Sequence, residues 1–371
     1  MSTYKPRRKT FFIFFIVIPV ISALLLGEIY VRLFKEYMTP EILKTKSLQY
    51  SPSIFSRFIF PEKKQRTETA GRIASYAINS KGYRGKEFSI KKNKGTIRII
   101  FYGGSATFDI YETEGKDWPH RIEQMLKEKG ILNVEVINAG IPGLTSVDCV
   151  GRIFADGWSL EPDYLIMCEA WNDICYFPNT TTMQKFCGPY NENDDPRISY
   201  QSSLDKILCE ASQLYVRLRG RYYDWKYDIG LEGASNQNES NREINELGLR
   251  QYRLSLEMFV DLARNIHSIP ILITQPRLFR KNNMDEEKLR IAYKYVKLNH
   301  ADIVKAFELT DVIIKDISKS KLVHMIDPSK EMSGNSEYFY DHVHTTDKGS
   351  YQLAKIISED LYGLIKKINN K

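Results

Sequence analysis

Asp341 and His344 stand three positions apart in the run Tyr340-Asp341-His342-Val343-His344-Thr345. That spacing lets a carboxylate orient one imidazole nitrogen while the other nitrogen takes a proton from a hydroxyl. His342 directly follows Asp341, which leaves it little reach for the same pairing. The hydroxyl that fits best is Ser105, in the stretch IRIIFYGGSATFD from Ile97 to Asp109. Gly103 and Gly104 let the backbone turn tightly after an apolar run, and Ala106 and Thr107 can begin a helix. The turn lifts the Ser105 hydroxyl to a strand end and sets its N–H at a helix N-terminus, facing any negative charge that develops there. Gly140 and Asn172 each follow a predicted strand and bring a backbone N–H and a side-chain amide, donors of the kind that stabilise an oxyanion. Each of these residues alone is ordinarily a loop residue; the weight lies in their convergence. His120, His267, His300 and His324 have no such context.

The elements that must position these residues follow from the hydrophobic pattern. Ile97–Tyr102, Val134–Ile137 and Tyr164–Cys168 are short apolar, β-rich runs of strand length. Between them Trp118–Leu126 has helical spacing, and Ser146–Trp158 offers a weaker helix. Further strands are expected over Ile271–Thr274 and Leu322–Ile326. They are separated by a helix through Tyr252, Leu256, Phe259, Leu262 and Ile266, and by helical pattern from about Glu287 to Ile317. A last helix begins near Thr346–Asp347, which are good N-cap residues. Strand and helix alternating at this spacing predict a three-layer α/β/α sandwich around a central parallel sheet, flavodoxin-like in outline. Open sheets of this kind carry their ligands at the carboxyl ends of the strands, where Ser105, Gly140 and Asn172 are expected.

The alternation lapses over about 177–250, read as an insertion with one amphipathic helix through Leu204, Ile207, Leu208, Ala211, Leu214, Tyr215 and Leu218. Residues 35–96 contain Pro40, Pro52 and Pro61 with little periodicity and read as a stalk and lead-in to a domain spanning 97–371. At the N-terminus, residues 1–10 carry the basic cluster Lys5, Arg7, Arg8 and Lys9. Phe11–Gly27 is then free of charge, and the apolar pattern continues to Phe34, interrupted only by Glu28 and Arg32. Apolar on every face, 11–34 is expected to be a transmembrane anchor rather than a core helix. The basic flank predicts a cytoplasmic N-terminus with the main domain on the periplasmic or extracellular side. A cleaved signal peptide is the alternative, but no small-x-small site follows the run.

Composition narrows the function classes. With 371 residues, 43% hydrophobic and 27% charged, the chain is that of a folded protein. Its net charge of +7 is partly spent in the N-terminal cluster, so no clustered basic face marks a nucleic-acid partner. Five cysteines form no CxxC pair and no zinc spacing; Cys168 reads as a small buried hydrophobe, and Cys175 and Cys187 could bridge in an oxidising compartment. No Walker A loop, dinucleotide fingerprint, HExxH or Gly-x-Ser-x-Gly elbow occurs, and no cofactor or metal is expected.

The motifs together resemble the SGNH, or GDSL-type, hydrolases, in their membrane-anchored bacterial form. Gly103-Gly104-Ser105-Ala106-Thr107 is similar to the first family block, with Gly104 where the family has Asp. Asn138-Ala139-Gly140 resembles the second block and Pro162-Asp163 through Asn172-Asp173 the third, with Glu169 and Ala170 where a Gly usually stands two residues before the Asn. Asp341-His342-Val343-His344 resembles the fifth. The resemblance covers roughly 79–176 and 336–366. It implies a nucleophile Ser105, a base His344, an acid Asp341 and an oxyanion hole of Ser105, Gly140 and Asn172. It implies an esterase that removes acyl groups, acetyl or short-chain, from a glycan or other cell-surface ester through an acyl-serine. An O-acyltransferase using the same residues, and a non-catalytic binding module of the same fold, are the alternatives.

Overall fold

The alternating apolar residues of Ile97–Gly103 have two faces to cover, and the fold covers both. In the computed structural model, which describes residues 13–35, 37–40, 51–53, 55–56, 58–60, 66–70, 74–178, 200–227 and 243–369, the chain forms two compact units. One comprises 1–47 with 191–230, the other 48–190 with 231–371. The basic tail, Cys187 and with it the candidate bridge to Cys175, and much of the expected insertion lie outside the described residues.

The larger unit is built on a five-stranded sheet, entirely parallel. A hairpin of β1 (Arg66–Ala70) and β2 (Ala74–Ile78) precedes it. The sheet strands are β3 (Ile97–Gly103), β4 (Val134–Asn138), β5 (Tyr164–Cys168), β6 (Ile269–Ile273) and β7 (His324–Ile326), in the order β4-β3-β5-β6-β7. Ile99 and Phe101 of β3 point to one face, packed with Trp118, Ile122, Leu126, Leu353, Ile357 and Leu361. Ile100 and Tyr102 point to the other, packed with Cys149, Ile153, Leu256, Phe259, Ile303 and Phe307. The first face is covered by helices Trp118–Glu128 and Asp347–Asn369, the second by Ser146–Ala155, Glu246–Asn265 and His300–Ser320. The expected three-layer α/β/α architecture is therefore present.

The chain leaves β3 to form β4 on one side, then returns past β3 to form β5 on the other. The gap between β3 and β5 is thus the topological switch point, where a crevice opens at the strand ends. Ser105 follows β3 and Asn172 follows β5, so the two flank that crevice.

Two departures from the expected elements bear on the site. The helical pattern from Glu287 to Ile317 is broken. The long helix starts only at His300, where the Asn299 side chain accepts from Asp302 N–H as an N-cap. Residues 289–298 form a loop instead, with a short turn at Tyr293–Val296 that ends at Lys297 in the left-handed region (φ 57°). Residues 74–85, within the expected stalk and lead-in, belong to the larger unit: Ala74, Tyr76 and Ile78 pack with Phe60, Phe108, Ile141 and Leu144. Arg84, buried among them, donates to the carbonyls of Phe108 (2.6 Å), Asp109 (2.8 Å) and Glu112 (2.5 Å). Its guanidinium lies over the rings of Tyr76 and Phe108, and it clamps the segment that follows Ser105.

The smaller unit contains helix α1 (Ile18–Phe34) and the pair α2 (Ser203–Ala211) and α3 (Gln213–Tyr227). Helical structure from Phe15 to Phe34 is long and apolar enough to cross a membrane, with a mean hydropathy of 2.0.

Candidate active site

Ser105 opens a short helix, Ser105–Phe108, immediately beyond β3. Its turn is closed by space as much as by conformation. A Cβ on Gly104 would stand 2.3 Å from Asn172 Nδ2 and 2.5 Å from Glu169 Oε2, so a side chain there would displace the amide and the carboxylate from their present places. The turn is pinned from behind. Thr107 Oγ1 donates to the Cys168 carbonyl (2.7 Å) and Trp118 Nε1 to the Ala106 carbonyl (2.8 Å).

Ser105 Oγ lies 2.6 Å from His344 Nε2, and His344 Nδ1 lies 2.7 Å from Asp341 Oδ2. The other oxygen of Asp341 accepts the N–H groups of Val343 (3.1 Å) and His344 (3.0 Å), which fixes the carboxylate against its own loop. Because Asp341 can only accept, His344 carries its proton on Nδ1 and presents a bare Nε2 to the hydroxyl. Burial disfavours a charge on His344, but the Asp341 carboxylate more than offsets it, and the imidazole pKa lies above its ordinary value. Burial likewise works against the Asp341 anion, yet the two neighbouring imidazoles and its hydrogen bonds hold it well below the usual carboxylate range.

Asp109, just past the Ser105 helix, ties this turn to the histidine loop. In the left-handed conformation (φ 62°), it accepts from Trp118 N (3.0 Å), Thr345 Oγ1 (2.9 Å) and Ser350 Oγ (2.6 Å).

Asn172 sits at the start of a single turn beyond β5 and is buried. Its Nδ2 donates to the Leu144 carbonyl (2.9 Å), so the amide orientation is set, and a second Nδ2 hydrogen remains for the crevice. Its Oδ1 accepts from Tyr295 Oη at 2.9 Å. Glu169, buried beneath both turns, accepts Gly104 N–H at 2.6 Å with one oxygen and Asn172 N–H at 2.9 Å with the other. One carboxylate thus joins the serine turn to the asparagine turn.

Gly140 is placed differently from expectation. Its N–H donates to Asn138 Oδ1 at 3.0 Å, and a Cβ on it would stand 2.4 Å from Phe108 N. It is sealed against the backbone behind the site, and its N–H is spent on the Asn138 side chain. The glycine in the crevice wall is Gly143, in the left-handed region at φ 85°, beside Ser105 and Asn172. Ser105, Asn172, Asp341 and His344 are brought together; Gly140 is not among them.

The crevice is a cavity of about 700 Å³. Its walls include Ile110, Tyr111, Trp171, Tyr295, Tyr340 and His342. Trp171 stacks on Tyr295 (centroids 6.0 Å, planes 9° apart) and lies against the His342 ring at 3.8 Å. Burial holds the His342 pKa down to about 4, so the ring is neutral around pH 7. Asp341, His342 and His344 bring potential metal-ligand atoms within 4.8 Å of one another. Both His344 nitrogens are already engaged by Asp341 and Ser105, so this arrangement leaves that ring no lone pair for a cation.

Three contributors escaped the sequence reading. Glu169 and Tyr295 offered no spacing signal, because their partners are backbone N–H groups and a residue more than a hundred positions away. His120 did offer one: Asp117 precedes it by three residues, and its Nδ1 lies 2.7 Å from Asp117 Oδ2. Asp117 also accepts from Asn138 Nδ2 (2.9 Å) and pairs with buried Arg84, a bracing role with no hydroxyl nucleophile attached among the described residues.

No protein-family model and no curated protein matches the chain. Among solved structures, the chain is similar to a GDSL-like lipase from Bacteroides thetaiotaomicron, at 16% identity and a TM-score of 0.41, over 76% of this chain and 93% of that one. It is similar to a lipase/acylhydrolase from Enterococcus faecalis, at 16% identity and a TM-score of 0.42, over 72% and 96%. A catalytic mutant of an acetylxylan esterase from Geobacillus stearothermophilus gives 14% and 0.40, over 72% and 94%.

Proposed function

We propose that this chain is a serine ester hydrolase of the SGNH type. The observation that carries the reading is the continuous line from Ser105 Oγ through His344 to Asp341, with Asn172 Nδ2 and the Ser105 N–H beside it. In the first step Ser105 Oγ attacks the ester carbonyl carbon and passes its proton to His344 Nε2. Asp341 holds the imidazolium that results. The carbonyl oxygen, now negative, is met by the Ser105 N–H and the remaining Asn172 hydrogen, with the backbone at Gly143 completing the wall. Collapse of this adduct breaks the ester C–O bond, and the departing alcohol takes the proton from His344. Water, deprotonated by His344, then attacks the acyl-serine, and as the acyl C–Oγ bond breaks Ser105 Oγ takes that proton back from His344 and the carboxylic acid departs. An acceptor hydroxyl could enter in place of water, which would make the same machinery an O-acyltransferase.

The aromatic walls of the cavity favour a sugar ring laid against the exposed rings of Tyr295 and Tyr340, as in an O-acetylated glycan. The basic residues before the apolar N-terminal helix favour a cytoplasmic N-terminus and a site on the far side of a membrane.

The direct test uses the full chain in detergent with a fluorophosphonate probe and p-nitrophenyl acetate, beside Ser105→Ala and His344→Ala. Labelling and turnover present in the parent and lost in both variants are the expected result. A folded parent that behaves like Ser105→Ala would overturn the proposal. Adding an acceptor sugar and analysing the products separates hydrolysis from transfer.

A further inference from the structure

A hairpin of helices facing water hides its leucines and shows its charges. One face of the pair α2 and α3 does the reverse, while Lys206 and Glu210 keep the other exposed side of α2 polar. Leu204, Ile207 and Leu208, at i, i+3 and i+4 on one face of α2, are 64%, 60% and 36% exposed, and Leu218 and Tyr222 of α3 are also exposed. Turned inward are Asp205 and Arg219, both buried and paired at 2.7 and 2.8 Å, with Tyr215 Oη donating to the same carboxylate at 2.9 Å.

The hairpin is also fastened to α1 at a definite level. Glu28 accepts from Ser212 Oγ (2.7 Å), Gln213 N (2.9 Å) and Leu214 N (2.8 Å), capping the first turn of α3 from another helix. Arg32 donates to the Ala211 carbonyl at 2.8 Å, and the Leu214 side chain lies against Gly27. Gly27 is seven residues before Phe34, where the apolar span ends. At a helical rise of 1.5 Å per residue, that is a depth of about 10 Å. A span of this length matches the hydrocarbon core of a bilayer, so whatever touches Gly27 and Glu28 lies below the headgroups.

We propose that α2 and the start of α3 are a bilayer-seated hairpin, with Leu204, Ile207 and Leu208 against lipid and the Asp205–Arg219 pair shielded between the helices. This rests on the reading of Phe15–Phe34 as a membrane span. The inverted polarity fits an apolar medium, where a polar pair must be satisfied internally and leucines cost nothing at the surface. The exposed leucines also continue the lipid-facing character of α1, whose Leu24, Leu25, Leu26 and Ile29 are exposed alike.

The test places a benzophenone amino acid at Leu25, Ile207 or Lys206 of the full chain, with Leu204 as a second position on the apolar face. Each variant is reconstituted in phosphatidylcholine–phosphatidylglycerol vesicles and irradiated, and lipid adducts are quantified by mass spectrometry. Adducts at Leu25 and at Ile207 or Leu204, several-fold above Lys206 on the polar side, are the expected result. Adducts at Leu25 with none at either leucine-face position would overturn the hairpin proposal and leave the span intact. Crosslinks from Ile207 and Leu204 to protein instead of lipid would do the same, assigning the face to a polypeptide. No adduct at Leu25 would remove the span itself, and the hairpin's seat with it.

Discussion

At His344 two influences oppose each other, and the pH dependence of the proposed reaction follows from which one wins. Burial disfavours the imidazolium; the Asp341 carboxylate favours it, and the pKa lies above the ordinary 6.5. Since the base must be neutral to accept the Ser105 proton, kcat/KM for p-nitrophenyl acetate is expected to climb along an acid limb whose midpoint lies above 6.5. Asp341→Asn removes the charge that raises it, so the midpoint moves down while the maximal rate drops by about ten-thousandfold. An unshifted limb in that variant would separate Asp341 from the titration. Stability runs in the opposite sense to activity here. The folded state binds this proton more tightly than the unfolded chain, so His344 contributes stability that is complete below 6.5 and is lost as pH rises through its folded pKa. Inactivity on the acid side is therefore protonation of a folded protein as far as His344 is concerned.

Among elements, the serine and asparagine turns belong to different strands, and Glu169 is what joins them. Glu169→Ala would leave the Gly104 and Asn172 N–H groups buried without their acceptor, at a cost of about 1–3 kcal/mol each. The Asn172 amide would also be free to drift from Ser105. The expected outcome is a lower urea midpoint together with a fall in kcat larger than any change in KM; an unchanged kcat would reduce Glu169 to a purely structural brace. This residue also marks the limit of what the sequence displays. The strands of the sheet were legible because β-branched runs of strand length have few other uses, and Tyr164–Cys168 matches its observed bounds residue for residue. Ser105, Asn172, Asp341 and His344 were legible because their types sit at strand ends or at a telling spacing. Spacing alone misleads, however: Asp117 and His120 repeat the Asp341–His344 interval, and there the Asp117 carboxylate pairs with buried Arg84 instead. Gly140 and Gly143 are equally plausible in a string of letters. Only the Asn138 side chain folding back on the Gly140 N–H separates them. The loop at 289–298 was hidden in an apolar run of helical pattern, and with it Tyr295, whose hydroxyl holds the Asn172 amide from across the crevice.

For the whole molecule, the two units divide the labour unequally. Every residue of the serine site lies in the unit formed by 48–190 and 231–371, while α1, α2 and α3 form the other. A chain beginning at Leu48 therefore retains the Ser105 turn, the His344 loop and the Glu169 brace intact, and is expected to label with fluorophosphonate as the full chain does. What it loses is the partner of 200–227. Without Glu28 the first N–H groups of α3 lose their acceptor, and without Gly27 the Leu214 side chain loses its seat. An uncapped helix start costs about 1 kcal/mol, and a helix of this length is marginal in water without tertiary support. Limited proteolysis should then cut the truncated chain within 200–227, where the full chain in detergent resists. Glu28→Ala in the full chain should open the same sites in part, because it removes the cap and keeps the packing. If truncation abolished labelling, the serine site would depend on the smaller unit. If 200–227 stayed protected without residues 1–47, the helix pair would be stable by itself, and Glu28 would be a bystander to its folding.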